Sequence, residues 1–421
     1  MSLRITDRLL LPLRLARARR RGVFREEREL GEPRIVEGFA LDFPEGEAAY
    51  NAIGADANGA IWFAVGTKSR DVGARLFRFG GDSGDWRRRT PHMMADLDRA
   101  LETSRALAHG KVHVDLVDAG AAMLSATHVG YYDLRDGMER PAREHYPGGW
   151  FFAIENDRIT PLAQAPAGEG IITMSADLAR GTLFAFTWPS GLFLTLDLGS
   201  RTLRNHGPVF GAGEHGSKKD GSWSRVCRSI GVDPHTGVPY WSNDTGTIFR
   251  ANEAVATTPR KEMWRKVLWH DGAFYGTLWQ SSALIRFDPQ TNICEEIGSL
   301  AASNAAATLA LTRQDNTIHT LATGPGIVPQ LATTVLHKTH DLTTNTTTTS
   351  GPLRLSDGRH ITQSQSLLLH GDHAYSLCWV EVPNSDRSPR ADAIRRLRRD
   401  TAEYRTRGYA EEMMLIRFAI R

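Results

Sequence analysis

Long apolar runs are missing from this chain of 421 residues, and none approaches the eighteen or more apolar residues of a membrane-spanning helix. Cysteine is scarce: Cys227, Cys294 and Cys378 are few and odd in number, which excludes a disulfide framework and leads us to expect a cytoplasmic location. Excess charge is missing too, since the net value of +3 gives no general affinity for nucleic acid. There is no phosphate-binding P-loop and no Gly-x-Gly-x-x-Gly between a strand and a helix, so no nucleotide cofactor is expected. The segment Leu9 to Leu13 is too short for a signal-peptide core, and arginines follow it where small residues should mark cleavage. Residues 1–33 are therefore expected to form a solvated basic arm.

What is present is a repeated short statement. An apolar, β-branched or aromatic run leads into a tight turn of Asp, Asn or Gly, and a second such run leaves it. The turns fall at Asp56 to Gly59, Asp118 to Gly120, Asp177 to Gly181, Asp233 to Gly237, Asp271-Gly272, Asp315-Asn316 and Gly371-Asp372. Between successive turns lie 38 to 62 positions, the period of a four-stranded blade with loops of variable length. The third copy shows the template best, with strands expected at Ile171 to Leu178, Thr182 to Trp188, Leu192 to Leu198 and Thr202 to Val209. Carried along the chain, it predicts inner strands beginning near Tyr50, Lys111, Ile171, Val226, Arg265, Ala305 and Thr362. The fold class is all-β, a seven-bladed β-propeller of four-stranded antiparallel blades over residues 34–421. A strand from Arg34 to Phe43 should join one from Glu412 to Ile420 in the seventh blade, closing the ring and removing an exposed edge. Short helical insertions are expected at His92 to Ala108 and Ala391 to Arg407, and the threonine-rich stretch Thr343 to Ser350 reads as an exposed outer strand or loop.

In a propeller the starts of first strands and the ends of second strands gather around the channel mouth, so the template also selects residues. It brings together Tyr50, Asn51, Lys68, His113, His128, Glu169, Trp188, Arg225, Arg228, Asn243, Asp244, Trp279, Gln280, Asn304, His360, Gln363 and Trp379, with Tyr131, Tyr132, His145 and Tyr146 on the loop after His128. Tryptophan faces cover sugar rings and arginine pairs bidentately with carboxylate, so the set suits a small, polyhydroxylated acidic ligand. Trp188, Trp279 and Trp379 are equally suited to packing between blades, and His113 to a structural hydrogen bond. Arg225 and Arg228 flank Cys227 where a strand enters the core, and need an acid partner that Asp244 or Glu169 can supply. Cys227 itself reads as buried and inert.

The pieces Gly110 to His113, Thr127 to Asp133, Tyr146 to Gly149, Gly168 to Met174 and Thr187 to Gly191, with Cys227-Arg228-Ser229 and Val232 to Pro234, resemble a group of bacterial seven-bladed proteins related to propeller polysaccharide lyases. The resemblance covers about half the chain. Members acting on uronate-containing glycans use two histidines on adjacent strands of one blade together with a tyrosine and an arginine. His113 and His128 match that pair. Glu169 and Trp188 stand where the tyrosine and arginine belong, so Tyr131 or Tyr132 and Arg225 or Arg228 would substitute. The resemblance implies β-elimination: an arginine neutralises the uronate carboxylate, and His128 and Tyr131 move protons. The catalytic set is then His113, His128, Tyr131 and Arg228, and the substrate-binding set Tyr132, Trp188, Arg225, Asn243, Trp279 and Trp379. No cofactor is expected, although His113, His128, His145 and His360 with Gln363 offer a divalent-cation alternative. Two further function classes stay open: a cyclase or isomerase of a small-molecule biosynthetic pathway, and a binding propeller without chemistry. The expected partner is a small molecule or oligosaccharide, with no nucleic acid or membrane and a monomer or weak dimer in solution.

Overall fold

A computed structural model describes residues 31–46, 50–67, 72–80, 91–101, 109–129, 146–217, 219–300, 310–323, 335–364, 366–380 and 412–420. Among these residues strands dominate, and helix is confined to Leu97–Ala100 and two short 3-10 turns. The strands assemble into antiparallel four-stranded sheets, a five-stranded one, and a nine-stranded one. The chain is all-β and propeller-like, and it divides into two compact units.

One unit spans Phe39–Trp279 and Ala283–Gly298, and contains five sheets. In the third, Gly170–Asp177, Thr182–Trp188, Leu192–Asp197 and Thr202–Pro208 lie side by side, within one residue of the expected bounds. Burial explains the order. Thr182–Trp188 is covered on both faces, whereas the outer strand Thr202–Pro208 is largely polar and exposed. Phe186 meets Trp241 of the fourth sheet edge to face at 5.4 Å, and Tyr240 meets Phe274 of the fifth at 5.2 Å. Such contacts build one apolar cluster from the third sheet to the fifth, and a second cluster packs the first three sheets.

The repeated aspartates have a structural role. Asp56 accepts the backbone N–H groups of Asn58 and Ala60 and the indole N–H of Trp62, and Asp118, Asp177 and Asp233 cap their own turns in the same manner. Asp271 and Gly272 both adopt left-handed backbone (φ 44° and 77°), the conformation of the two-residue turn that follows strand twist. Three innermost strands carry a bulge at their second or third residue. Pairing skips Ile172 in the third sheet, Arg265 in the fifth and Thr362 in the nine-stranded sheet.

The second unit contains the nine-stranded sheet, in which Ala310–Gln314, Thr317–Thr323, Val335–Asp341 and Thr346–Leu355 form one antiparallel set. The strand Arg34–Ala40 lies next to Glu412–Ala419, as the ends of the sequence suggested, and it also pairs in parallel with Thr346–Leu355. Thr346 to Thr349 are exposed.

Two expectations change. His92–Asp96 is a strand, because Arg75–Phe79 otherwise presents an unpaired edge; helix begins only where the Asp96 carboxylate caps the N–H groups of Asp98 and Arg99. The fourth sheet pairs from Gly231 rather than Val226, since side chains claim the backbone before it: the Val226 carbonyl accepts from Arg228 and the Ser229 carbonyl from the Trp264 indole. The start of the inner strand expected near Ala305 lies outside the described residues, and the strand is described from Ala310. The arm over residues 1–30 and the insertion Ala391 to Arg407 lie outside the described residues.

A chain of polar groups docks the N-terminal strand. An Arg34 guanidinium N–H donates to Nδ1 of His337 at 3.0 Å. Arginine only donates, so that nitrogen bears no proton; Nε2 carries it and donates to Nδ1 of His319 at 3.1 Å. Burial, followed by the neighbouring positive groups, lowers His337 to about 3 and His319 to about 4. Both histidines take up protons more readily in the unfolded chain, so their contribution to stability is complete above their ordinary value near 6.5 and lost as pH falls toward 4 and below. Each tenfold depression of proton affinity is worth about 1.4 kcal/mol. The denaturation midpoint should therefore drop steadily between about pH 6.5 and 4, with a shallower slope in the H319Q/H337Q variant. Equal slopes in the two proteins would remove the histidine pair from the acid response.

Candidate active site

Five sheets of one unit deliver a single group of aromatic and charged side chains. The second sheet supplies Lys111 at the start of its inner strand and His128 at the end of the neighbouring one, directly opposite in register. His113 follows the inner strand, stacks on Tyr50 at 4.1 Å between ring centres, and stands 5.5 Å from the His128 ring. His128 in turn lies 5.4 Å from Trp188 of the third sheet. Gly170 permits this approach, because a Cβ there would lie 2.9 Å from the imidazole.

The hydrogen bonds of His128 fix its tautomer. Nδ1 sits 2.6 Å from the carbonyl oxygen of Val129, which only accepts, so Nδ1 carries the proton. Nε2 is buried and, among the described residues, has no hydrogen-bond partner, and the same holds for Nδ1 of His113. Burial above all, then the Lys111 and Arg228 charges, pushes His128 down to about 3. Burial also holds His113 well below its usual range, with His128, Lys111 and Arg228 adding to the effect. Both rings are neutral at physiological pH.

Glu214, on a 3-10 turn after the third sheet, fastens this aromatic end to the fourth sheet. Its Oε2 accepts the Trp188 indole N–H at 2.9 Å, and its Oε1 accepts from Arg228 at 2.7 Å and from the Val226 backbone N–H at 3.2 Å. Beyond it, Arg225, Arg228 and Arg265 surround one ring, with guanidinium carbons 4.5, 5.8 and 4.4 Å from the centre of Trp279. The bulge turns Arg265 out of the pairing register and toward this ring. Burial, then the charges of Arg228 and Arg225, lowers the Arg265 guanidinium to about 9, which leaves it charged at neutral pH. Asp244 accepts the Arg225 backbone N–H. A Lys266–Asp115 ion pair ties the fifth sheet to the second.

The placement of the expected residues is uneven. His113, His128, Trp188, Arg225, Arg228 and Trp279 meet in one group. Tyr131, Tyr132, His145, Lys68 and Asn304 lie outside the described residues. Trp379, His360, Gln363 and Gln280 belong to the other unit, where Trp379 is buried opposite Gln363. Asn243 spends its side-chain oxygen on Thr245 and Thr247 within its own turn. Glu169 is buried and accepts from Thr187 and from the backbone and hydroxyl of Ser190, and Tyr146 is bonded to His109 in the interior. Glu169 therefore holds the Trp188 turn, and the acid that Arg228 needed is Glu214. Glu214, Lys111 and Arg265 were not among the selected residues. Lys111 and Arg265 stand at inner-strand starts, the very positions that nominated the others, whereas nothing periodic marks the loop of Glu214. His113 and His128 find no third ligand among the described residues, so they do not make a metal centre there.

No protein family matches the chain, and neither does any curated protein. Solved structures do. The extracellular domain of the BT4673 one-component system from B. thetaiotaomicron has 12% identity and a TM-score of 0.49 over 82% of this chain. The chain spans only 39% of that domain's length. The designed Ika8 protein has 12% identity and a TM-score of 0.45, over 82% of this chain and 86% of its own. The likeness is to β-rich, propeller-like domains and carries no lyase relationship. The cytoplasmic expectation is corrected on the finding that the BT4673 neighbours are extracellular domains. All three cysteines are free, as the absence of a disulfide framework led us to expect, and Cys227 and Cys378 are buried. Among the described residues no helix is long and apolar enough to cross a membrane.

Removing the Glu214 carboxylate strands both Arg228 and the Trp188 indole. E214A should lose about 1–3 kcal/mol, less than a fully buried pair because both partners keep some solvent contact. Chemical denaturation followed by tryptophan fluorescence measures it, and an unchanged midpoint would show that the contact contributes nothing.

Proposed function

We propose that the protein is a carbon–oxygen lyase acting on a small acidic, uronate-like sugar, with the group around His128 as its active centre. The observation that carries the reading is the buried Nε2 of His128, which has no hydrogen-bond partner among the described residues and is a neutral proton acceptor near Lys111 and Arg228. Tyr50, Trp188 and Trp279 offer ring faces for a sugar, and the cations suit its carboxylate. In the same reading the nine-stranded sheet counts as two blades, with Arg34–Ala40 as the outer strand of the seventh.

Arg228, held from one side by Glu214, and Lys111 neutralise the carboxylate and acidify the adjacent C–H. His128 Nε2 accepts that proton; the C–H electron pair becomes the new C=C bond as the C–O bond to the leaving sugar breaks. The imidazolium returns its proton to the departing oxygen, so one group serves as base and then acid. Tyr131, expected to share this transfer, lies outside the described residues.

In the ligand-free site His128 is a weak base, pushed down to about 3 first by burial and next by Lys111. A bound carboxylate offsets the two cationic contributions and raises its basicity, so the substrate completes the base. The same proton abstraction without loss of the leaving group would be an isomerisation.

The test is incubation with uronate-terminated oligosaccharides while absorbance of the unsaturated product is followed. Activity should fall by at least about 10²-fold in H128A, the scale of one general base. The acid limb of kcat should lie at higher pH than that of kcat/KM, because the first reports the bound and the second the free protein. No product across a broad uronate panel would sink the lyase reading.

A further inference from the structure

The cations around Trp279 outnumber what a single carboxylate answers. Arg228 is already paired with Glu214, and it also donates to the Val226 carbonyl. The Arg225 and Arg265 guanidiniums have cation–π contacts to tryptophan and, among the described residues, no carboxylate hydrogen-bonded to either. The charges acting on Arg265 are those of Arg228 and Arg225, both positive, and no acid among the described residues relieves it. Asp244 takes the Arg225 backbone N–H and Ser224 hydroxyl, and Glu169 is turned into Thr187 and Ser190. Two guanidiniums therefore rest on the same Trp279 ring; Glu214 and Asp244 relieve Arg225 in part, whereas Arg265 feels only positive neighbours, a cost that a bound anion would lower.

Their geometry narrows the anion. A guanidinium lying over an aromatic ring uses its face there and keeps its edge N–H groups for planar, bidentate donation. Two such edges with one positive charge each match a group with two negative charges and three acceptor oxygens. A carboxylate brings one charge and two oxygens, and a sulfate monoester brings one charge. We propose that Arg225 and Arg265, on either side of Arg228, bind the dianionic phosphate monoester of a phosphorylated ligand. This rests on the reading that the group binds a small acidic molecule, and it adds a second anionic group to that molecule, at the Trp279 end and away from the proton-accepting His128.

The full chain is titrated with methyl phosphate, methyl sulfate and glucuronate at constant ionic strength, with binding read by tryptophan fluorescence and calorimetry. Methyl phosphate should bind at least tenfold more tightly than methyl sulfate, and more tightly at pH 8 than at pH 5.5, where much of the ester holds its second proton (pKa about 6). R265M and R225M should each lose that affinity by about tenfold or more, and H128A should keep it. R265K serves where R265M does not fold, and should weaken phosphate less than full removal. Equal affinity for the two esters, or phosphate binding untouched in both methionine variants, overturns the proposal. Glucuronate binding and elimination without phosphate affinity would overturn this proposal alone. Phosphate affinity without any elimination would leave it standing and overturn the lyase reading.

Discussion

A single carboxylate joins the two halves of the candidate site. Glu214 accepts the Trp188 indole with one oxygen and Arg228 with the other, so the aromatic wall beside His128 and the arginine group beside Trp279 share one anchor. Neither side chain would hold its place alone. An indole N–H in a part-buried position needs an acceptor, and a guanidinium between two others needs a counter-charge. Because both needs are met by the same group, orientation on one side is coupled to electrostatics on the other.

The surrounding chemistry is one of neutral acceptors among cations. Imidazole rings beside Lys111 and Arg228 would repel them if protonated, and burial removes the water that might screen that repulsion. The rings stay neutral, the Val129 carbonyl selects the Nδ1–H tautomer of His128, and Nε2 is buried with no hydrogen-bond partner among the described residues. Backbone rather than a third side chain sets this orientation. The positive charge is left to arginines whose faces rest on tryptophan, an arrangement that keeps planar donors in position at little cost in side-chain freedom.

Much of the fold was legible because turns are local. Asp56, Asp118, Asp177 and Asp233 cap their own backbone, so each repeat announces itself without reference to the rest of the chain, and the third sheet falls within a residue of expectation. Strand alternation then placed His113, His128, Trp188 and Arg228 together. It failed where a residue's role depends on what lies across from it. Glu169 has the charge and position of a ligand residue yet bonds to Thr187 and Ser190 of its own sheet, while Glu214 acts from a loop with no period to count. Arg265 was counted as the opening of a strand, and only the skipped pairing reveals that its side chain leaves the sheet. His92–Asp96 reads locally as the approach to a helix, but the open edge of Arg75–Phe79 decides it as a strand.

The bulge has a wider consequence for how such a scaffold changes its ligand. At the skipped position the side chain is exempt from the cross-strand pairing that constrains its neighbours on the ladder. The third sheet places Ile172 there, the fifth Arg265 and the nine-stranded sheet Thr362: one apolar, one charged and one hydroxyl side chain on the same backbone device. Such positions behave as sockets. What they hold differs: Ile172 packs into the apolar core, Thr362 donates to the Trp379 carbonyl, and Arg265 alone of the three is delivered to the candidate site, while each hydrogen-bonded ladder keeps its register.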